Sequence, residues 1–127
     1  MYIENTGIES LILDLNTLDD ILPQYGLIRA GTWDYERVTY DRKIVLHEHV
    51  YYLRVQGEAI EGDVGAQDAT IQLKVPILGK HYYPHGIEYG EDENFPKALV
   101  SQCKKILDTL YTEIKPLAKK EEVEVEE

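Results

Sequence analysis

The chain has 127 residues, of which 43% are hydrophobic and 29% are charged, a size and composition that favour one folded domain and exclude a wholly disordered chain. Its formal net charge of −11 opposes binding to nucleic acids and to anionic membranes, because both carry negative charge. Cys103 is the only cysteine, which excludes an internal disulfide and a cysteine zinc cage. With no export signal and no apolar run long enough to cross a bilayer, we expect a cytoplasmic protein.

The first part of the chain predicts a strand followed by a short helix. Residues 7–15 alternate loosely between apolar and polar side chains, as strands do. Asn16 is a residue type that caps helices, so we expect a helix over 17–24. Pro23 and Gly26 should end this helix after about two turns.

The middle of the chain changes to a period of two residues, which is typical of strands. We predict strands over 27–33, 36–46, 47–57 and 69–77. The last of these alternates most cleanly, and Pro76 near its end indicates a sheet edge or a bulge. In the 47–57 strand, the set of side chains expected to point at the core consists of His47, His49, Tyr51, Leu53 and Val55.

The remaining residues predict a loop, a long helix and a tail. Residues 79–93 show no steady period, and loops of that length are more often functional than average. The helix that follows has Pro96 in its first turn and ends at Pro116. Its apolar stripe consists of Leu99, Cys103, Ile106 and Leu110. We assign residues 1–118 to a single domain and residues 119–127 to an acidic, flexible tail.

The order β-α-β-β-β-β-α predicts an α+β fold, in which an antiparallel sheet carries both helices on one face. The other face of the sheet is then free of helices. Tyrosine and arginine are enriched at protein interfaces, which makes this face a candidate interface. The residues that we predict to point outward there are Tyr40, Arg42, Tyr52 and Arg54.

Several segments together resemble the YugN-like family of small bacillar proteins. They are Gly31-Thr-Trp-Asp-Tyr35, Val38-Thr-Tyr-Asp-Arg-Lys43, Tyr51-Tyr-Leu-Arg-Val55, Tyr83-Pro-His-Gly-Ile-Glu-Tyr89 and Phe95-Pro96. The resemblance covers nearly the whole chain except the tail. It implies a β-α-β4-α fold similar to TATA-binding-protein-like domains, a bacterial cytoplasmic protein and no established activity. It supplies no catalytic residues.

All four histidines fall in two clusters, His47-Glu-His49 and His81-Tyr-Tyr-Pro-His85. Residues two apart on a strand project from the same face, so His47 and His49, with His85 as a third ligand, would suit zinc, nickel or copper. Ordinary hydrogen-bonded histidines are the more common explanation, because this spacing matches no known ligand signature. We therefore predict no cofactor.

The chain contains ten tyrosines but only one phenylalanine. Tyrosine combines an apolar ring with a polar tip, so this bias indicates either a binding surface or a thin sheet with many half-buried positions. The sequence supports the two interpretations equally. The candidate ligand-binding residues are Trp33, Tyr35, Tyr51, Tyr83 and His85.

The leading hypothesis is a non-enzymatic interaction domain that forms a homodimer through its helix-free sheet face. The alternative is a small-molecule-binding or catalytic domain with a pocket near Trp33, His49, Tyr83 and His85. The sequence has no phosphate-binding loop, nucleophile elbow or dinucleotide fingerprint, and this favours the first hypothesis.

Overall fold

A computed structural model describes residues 1–31, 34–82, 86–88 and 95–119 of the chain. These residues form an α+β fold, in which a seven-stranded antiparallel sheet packs against two helices. The predicted fold class is confirmed, although the sequence indicated only five strands. The similarity to TATA-binding-protein-like domains stays a prediction.

The N-terminal part forms a short strand, β1 (Ile12–Asp14), which leads directly into helix α1 (Leu15–Ile21) and a 3-10 turn (Leu22–Tyr25). The helix begins at Leu15, before Asn16, and not after it as predicted. Leu15 is itself part of the buried stripe of the helix. That stripe consists of Leu15, Leu18 and Ile21. Gly26 ends the segment with a φ of 76°, a left-handed value that glycine adopts without strain.

Six further strands complete the sheet. They are β2 (Ile28–Arg29), β3 (Arg37–Leu46), β4 (His49–Asp63), β5 (Asp68–Leu73), β6 (Ile77–Tyr82) and β7 (Gly86–Glu88). The long hairpin of β3 and β4 forms the centre of the sheet. β2 pairs with β3 on one side, while β5 and β6 both pair with β4 on the other. β1 pairs with β5, and β7 pairs with β6.

β5 and β6 lie end to end along the same edge of β4, and together they replace the single strand predicted over 69–77. Pairing continues between them, since the backbone N–H of Lys74 donates to the carbonyl of Gln56 at 2.8 Å. One extra residue is accommodated near Pro76, where the sequence indicated a bulge or an edge. The prediction of a loop over residues 79–93 is partly wrong, because β6 and β7 occupy much of the first half of this segment.

A two-residue turn at His47 and Glu48 joins β3 to β4. Their φ angles of 52° and 68° are both left-handed, as tight hairpin turns require. The strand predicted over 47–57 therefore begins at His49 and continues to Asp63, and His47 does not lie on it.

Both helices pack on one face of the sheet, as predicted. Helix α2 (Lys97–Ile114) continues into a 3-10 turn (Lys115–Leu117), and its buried residues join the sheet in one hydrophobic core. These residues are Leu99, Cys103, Leu107, Leu110 and Ile114. Burial raises the pKa of the Cys103 thiol to about 11, which keeps it protonated and poorly nucleophilic near neutral pH.

The last described residue, Lys119, lies at the β1 edge of the sheet. It forms an isolated antiparallel bridge with Ile12, and its Nζ lies 2.9 Å from Oδ1 of Asp14. The chain beyond residue 119 therefore starts from the side of the sheet that is furthest from β2 and β3.

Candidate interaction surface

The face of the sheet opposite the helices is built by alternate residues of β3 and β4, and we call it the open face. Cross-strand pairing assigns ten residues of these two strands to it. They are Arg37, Thr39, Asp41, Lys43 and Val45 of β3, which lie opposite Glu58, Gln56, Arg54, Tyr52 and Val50 of β4. All ten are half-buried or exposed.

Polar side chains on the open face bind their cross-strand neighbours. The Arg54 guanidinium donates from Nε and Nη2 to the two carboxylate oxygens of Asp41, at 2.8 and 2.9 Å. Such a two-point contact fixes the planes of both groups. Gln56 donates to the Thr39 hydroxyl at 3.2 Å. The polar part of the surface is therefore held in place without help from a helix.

Apolar groups are also exposed on this face. Val45 is 63% exposed, and Ile28 of β2, which pairs with Asp41 and so shares its face, is 58% exposed. The ring of Tyr52 meets the ring of His81 edge to face, with 6.2 Å between centroids. The open face thus combines ordered polar groups, exposed aliphatic groups and a half-buried tyrosine, which is the mixture found at protein interfaces.

The open face differs from the rest of the molecule in charge. Its ten central residues include three basic and two acidic side chains, whereas the whole chain has a net charge of −11. Among the other described residues, acidic side chains outnumber basic ones by fourteen to nine, so within the described part of the chain the excess of negative charge lies outside these ten positions.

Two of the four predicted interface residues do not lie on this face. Tyr40 pairs with Val55 and is completely buried under the helices, and Arg42 pairs with Leu53 on the same covered side. Arg42 donates to the backbone carbonyl of Tyr25 at 2.7 Å. The prediction for Tyr40 and Arg42 was wrong because residues 36–46 were assigned to the opposite phase of the strand. Tyr52 and Arg54 do lie on the open face.

The buried Tyr40 hydroxyl belongs to a polar cluster that sequence reasoning missed. It donates to Oδ1 of Asp19 at 2.6 Å, and burial together with this hydrogen bond raises the pKa of Tyr40. Asp19 also accepts from Gln67 at 2.6 Å and lies 3.3 Å from Nε of Arg29. The cluster ties α1 to β2, β3 and the β4–β5 turn. Its members are far apart in sequence, and no local motif marks them.

A cleft of about 670 Å³ lies beside this cluster, at the β2 end of the molecule. It is lined by Arg29, Gly31, Asp34, Tyr35, Gly65 and Gln67, among others. Tyr35 is 58% exposed. Of the predicted ligand-binding residues that the structure describes, Tyr35 lies in this cleft.

Two other residues that the sequence predicted for a pocket, His49 and Tyr51, do not lie at this cleft. His49 lies at the opposite end of the β3–β4 hairpin, ten strand residues away, which is roughly 30 Å. Tyr51 is buried under the helices, with its ring 6.0 Å from that of Phe95. Trp33, Tyr83 and His85 lie outside the described residues. A single pocket that joins Tyr35 to His49 is therefore not formed.

The described histidines do not converge. His47 lies in the hairpin turn and His49 at the first position of β4, whereas His81 pairs with Val50 on the open face. Side chains of adjacent strand residues point to opposite faces, which separates His49 from His81. Within the described ranges, no group of three or more potential ligands forms a metal site. The third predicted ligand, His85, is outside those ranges, so the metal site stays a prediction.

Among the described residues, no helix is both long enough and apolar enough to cross a membrane.

Comparison with known proteins supports the resemblance seen in the sequence. Residues 4–114 match the model of the YugN-like family. The chain is 53% identical over 110 residues to the uncharacterized protein YlbA of Bacillus subtilis (strain 168), which covers 87% of this chain and 92% of that protein. The crystal structure of the uncharacterized conserved protein YugN from Geobacillus kaustophilus HTA426 is similar with a TM-score of 0.79 and 54% identity, covering 91% of this chain and 96% of that one. On this evidence the chain belongs to the YugN-like family.

Proposed function

We propose that this protein is a non-enzymatic, cytoplasmic interaction domain that forms a homodimer through its open face. The supporting observation is the contrast in charge between that face, which is nearly neutral, and a chain whose net charge is −11. Two copies of an acidic protein repel each other over most of their surfaces. Contact between two open faces brings together the regions where this repulsion is weakest.

The size of the open face is also appropriate. Together with the same side of the neighbouring strands, the face comprises 45 residues, which at roughly 3.3 Å along and 4.8 Å across a strand cover about 700 Å² per copy. Specific interfaces bury roughly 600–1,000 Å² on each partner. The face is thus large enough for a stable pair, near the lower end of that range.

The charges suit a two-fold arrangement whose axis crosses the strands. Such an axis places the turn end of one β3–β4 hairpin over the far end of the other. Lys43 then approaches Glu58 of the second copy, while the Asp41–Arg54 pairs of the two copies lie near the middle. Opposite charges that meet across an interface fix its orientation.

The homodimer is tested by placing an additional charge on the open face. We expect the unmodified protein to have the mass of two chains by multi-angle light scattering, and Tyr52→Glu to have the mass of one, because a carboxylate there is desolvated beside the partner. Gln102→Glu, which adds the same charge at an exposed position of α2, serves as the matched control. A one-chain mass for the unmodified protein up to about 100 µM, a concentration at which even weak specific pairs associate, contradicts the proposal.

A second candidate function is small-molecule binding in the cleft beside Tyr35. The observation that favours it is the cleft itself, about 670 Å³ in volume, with Arg29 and Gln67 next to an exposed aromatic ring. Ligand pockets in proteins are typically about 300–1,000 Å³. Native mass spectrometry of protein purified from its own host tests this function. A bound small molecule that is lost in Tyr35→Ala supports it, and a spectrum without any adduct counts against it.

A further inference from the structure

One edge of β3 is left uncovered by its neighbour. β2 pairs only with Tyr40 and Asp41, and the N–H of Ala30 donates to the carbonyl of Thr39 at 2.8 Å. Backbone groups of an antiparallel strand point alternately to its two sides, so Thr39 and Asp41 face β2. The same alternation directs the backbone N–H and C=O of Lys43 to that side.

Val45 continues the same row of outward-facing backbone groups. The chain that precedes β2 turns away from them, since the N–H of Leu27 donates to the carbonyl of Leu22 at 3.1 Å. Within the described part of the chain, no strand pairs with residues 42–46 on this side. We call these five residues the β3 edge. An uncovered edge of this kind is a template for a further strand.

The side chains of the β3 edge select the kind of strand that fits. Lys43 is exposed and forms no ion pair with any described residue. A lysine at an edge opposes pairing with a neutral apolar strand, because its charge would lose water without compensation. A glutamate directly across from it reverses this effect, since opposite charges in a cross-strand pair stabilise the pairing. On the other side of β3, Ile44 is buried in the core and Leu46 is partly buried.

The sequence beyond the described residues contains a segment with this pattern. Residues 121–127 read Glu-Glu-Val-Glu-Val-Glu-Glu, so that glutamate and valine alternate at positions 122–126. In an extended strand this alternation puts the glutamates on one side and both valines on the other. With Glu124 across from Lys43, the two valines lie on the covered side of the sheet, across from Arg42 and Ile44. The acidic segment therefore matches the β3 edge in charge, and one of its valines lies beside Ile44.

The segment does not reach the β3 edge of its own chain. Lys119 pairs with Ile12, which lies on the level of Arg37 across β5 and β4. The site across from Lys43 lies five strand spacings from Lys119 across the sheet and six residues from it along the strands. The straight-line distance between the two is therefore about 31 Å. Eight residues, 120–127, extend to at most about 29 Å. Several of them must also lie along the edge, so the segment has to come from another molecule.

We propose that residues 121–127 of a second copy bind to the β3 edge as an added strand. The added strand hydrogen-bonds to the backbone of Lys43 and Val45, and its glutamates contact Lys43. The backbone hydrogen bonds of this contact lie at the edge of the sheet and not on the open face, and Lys43 is the residue that it shares with the proposed homodimer.

A fluorescent peptide with the sequence of residues 121–127 tests the inference by anisotropy, with the full-length protein as the receptor. The tails of the receptor compete equally in every variant. Val45→Pro removes one outward N–H without removing a bond to β4, so we expect binding at least about tenfold weaker, whereas Val45→Thr binds within about threefold. Equal binding by the proline variant, with its circular dichroism unchanged, overturns the proposal.

A charge exchange keeps the test decisive if the proline variant fails to fold. Lys43→Glu should weaken binding of the native peptide about tenfold, and a peptide carrying Glu124→Lys should recover most of that loss on the Lys43→Glu protein. No recovery contradicts the assigned pairing. Gln56→Glu, which adds a charge to the open face about 13 Å along the strands from Lys43, should leave peptide binding unchanged. The two proposals therefore fail in different measurements.

Discussion

The covered face and the open face of the sheet are made by the same strands, yet their polar groups are satisfied in different ways. On the covered face, Tyr40 and Arg42 bind groups from other elements, namely Asp19 of α1 and the carbonyl of Tyr25. On the open face, Arg54 binds Asp41 of the neighbouring strand. Polar groups under the helices thus depend on tertiary packing, whereas Arg54 and Gln56 on the open face bind side chains of the same hairpin. The covered face should carry the stability, and the open face is available to a partner.

The largest expected effect follows from two neighbouring residues of β4. Leu53 is fully buried on the covered face, and Leu53→Ala leaves a cavity, so we expect a loss of about 2–5 kcal/mol in the free energy of unfolding. Tyr52 lies on the open face, and Tyr52→Ala should cost below about 1 kcal/mol in the dissociated chain. Urea unfolding of both variants at low protein concentration measures the difference. Equal losses would mean that the open face is packed as tightly as the core.

A smaller effect is expected from the hydroxyl of Tyr40. Tyr40→Phe removes the donor to Asp19, while Arg29 and Gln67 still contact that carboxylate. We expect a loss of about 1–2 kcal/mol, as for other buried hydrogen bonds to a charged group. Tyr52→Phe is the matched control on the open face and should change stability by less than about 0.5 kcal/mol. If both changes are neutral, Asp19 does not need the hydroxyl.

The same hydroxyl predicts a pH dependence. Burial and the hydrogen bond to Asp19 raise the pKa of Tyr40 above its ordinary value of 10.0. The unfolded chain then releases this proton near pH 10 while the folded chain keeps it, so the contribution is complete below pH 10 and decreases as the pH rises further. The difference in unfolding free energy between the unmodified protein and Tyr40→Phe should therefore shrink between about pH 9 and pH 11. A constant difference over that interval would place the Tyr40 pKa near its ordinary value.

The parts of the fold that could be predicted are those in which one periodic pattern determines which side chains are buried. The stripe of α2, with Leu99 and Cys103, and the alternation of Ile71 and Leu73 in β5 each admit one orientation, and both are confirmed. The phase of β3 could not be predicted this way. Arg42 lies on the covered side, and Val45 is 63% exposed, so two residues in this strand break the expected pattern.

The Asp19 cluster could not be predicted from the sequence, for a different reason. Its hydrogen bonds join residues that are 21 and 48 positions apart in the chain, and they form only after the sheet has assembled. A short-range pattern cannot contain this information. The open face itself was predictable as a helix-free surface, because the order of elements placed both helices on the other side. Only two of the four residues predicted for this face, Tyr52 and Arg54, lie on it, because the other two depend on the phase of β3.

The smallest expected effect concerns two of the ion pairs formed by open-face residues, Arg54–Asp41 and Lys74–Glu58. The side chains of Arg54 and Asp41 are 25% and 21% exposed, whereas those of Lys74 and Glu58 are 49% and 54% exposed. A double-mutant cycle with Arg54→Met and Asp41→Asn should give a coupling energy of about 0.5–1 kcal/mol. The cycle with Lys74→Met and Glu58→Gln should give about 0–0.3 kcal/mol, because water screens the more exposed pair. Each cycle is measured by urea unfolding at two protein concentrations. If a second copy covers the open face, both couplings should change at the higher concentration, since the covering chain removes water from the charges. Couplings that are independent of concentration indicate that the open face stays in water and argue against the homodimer.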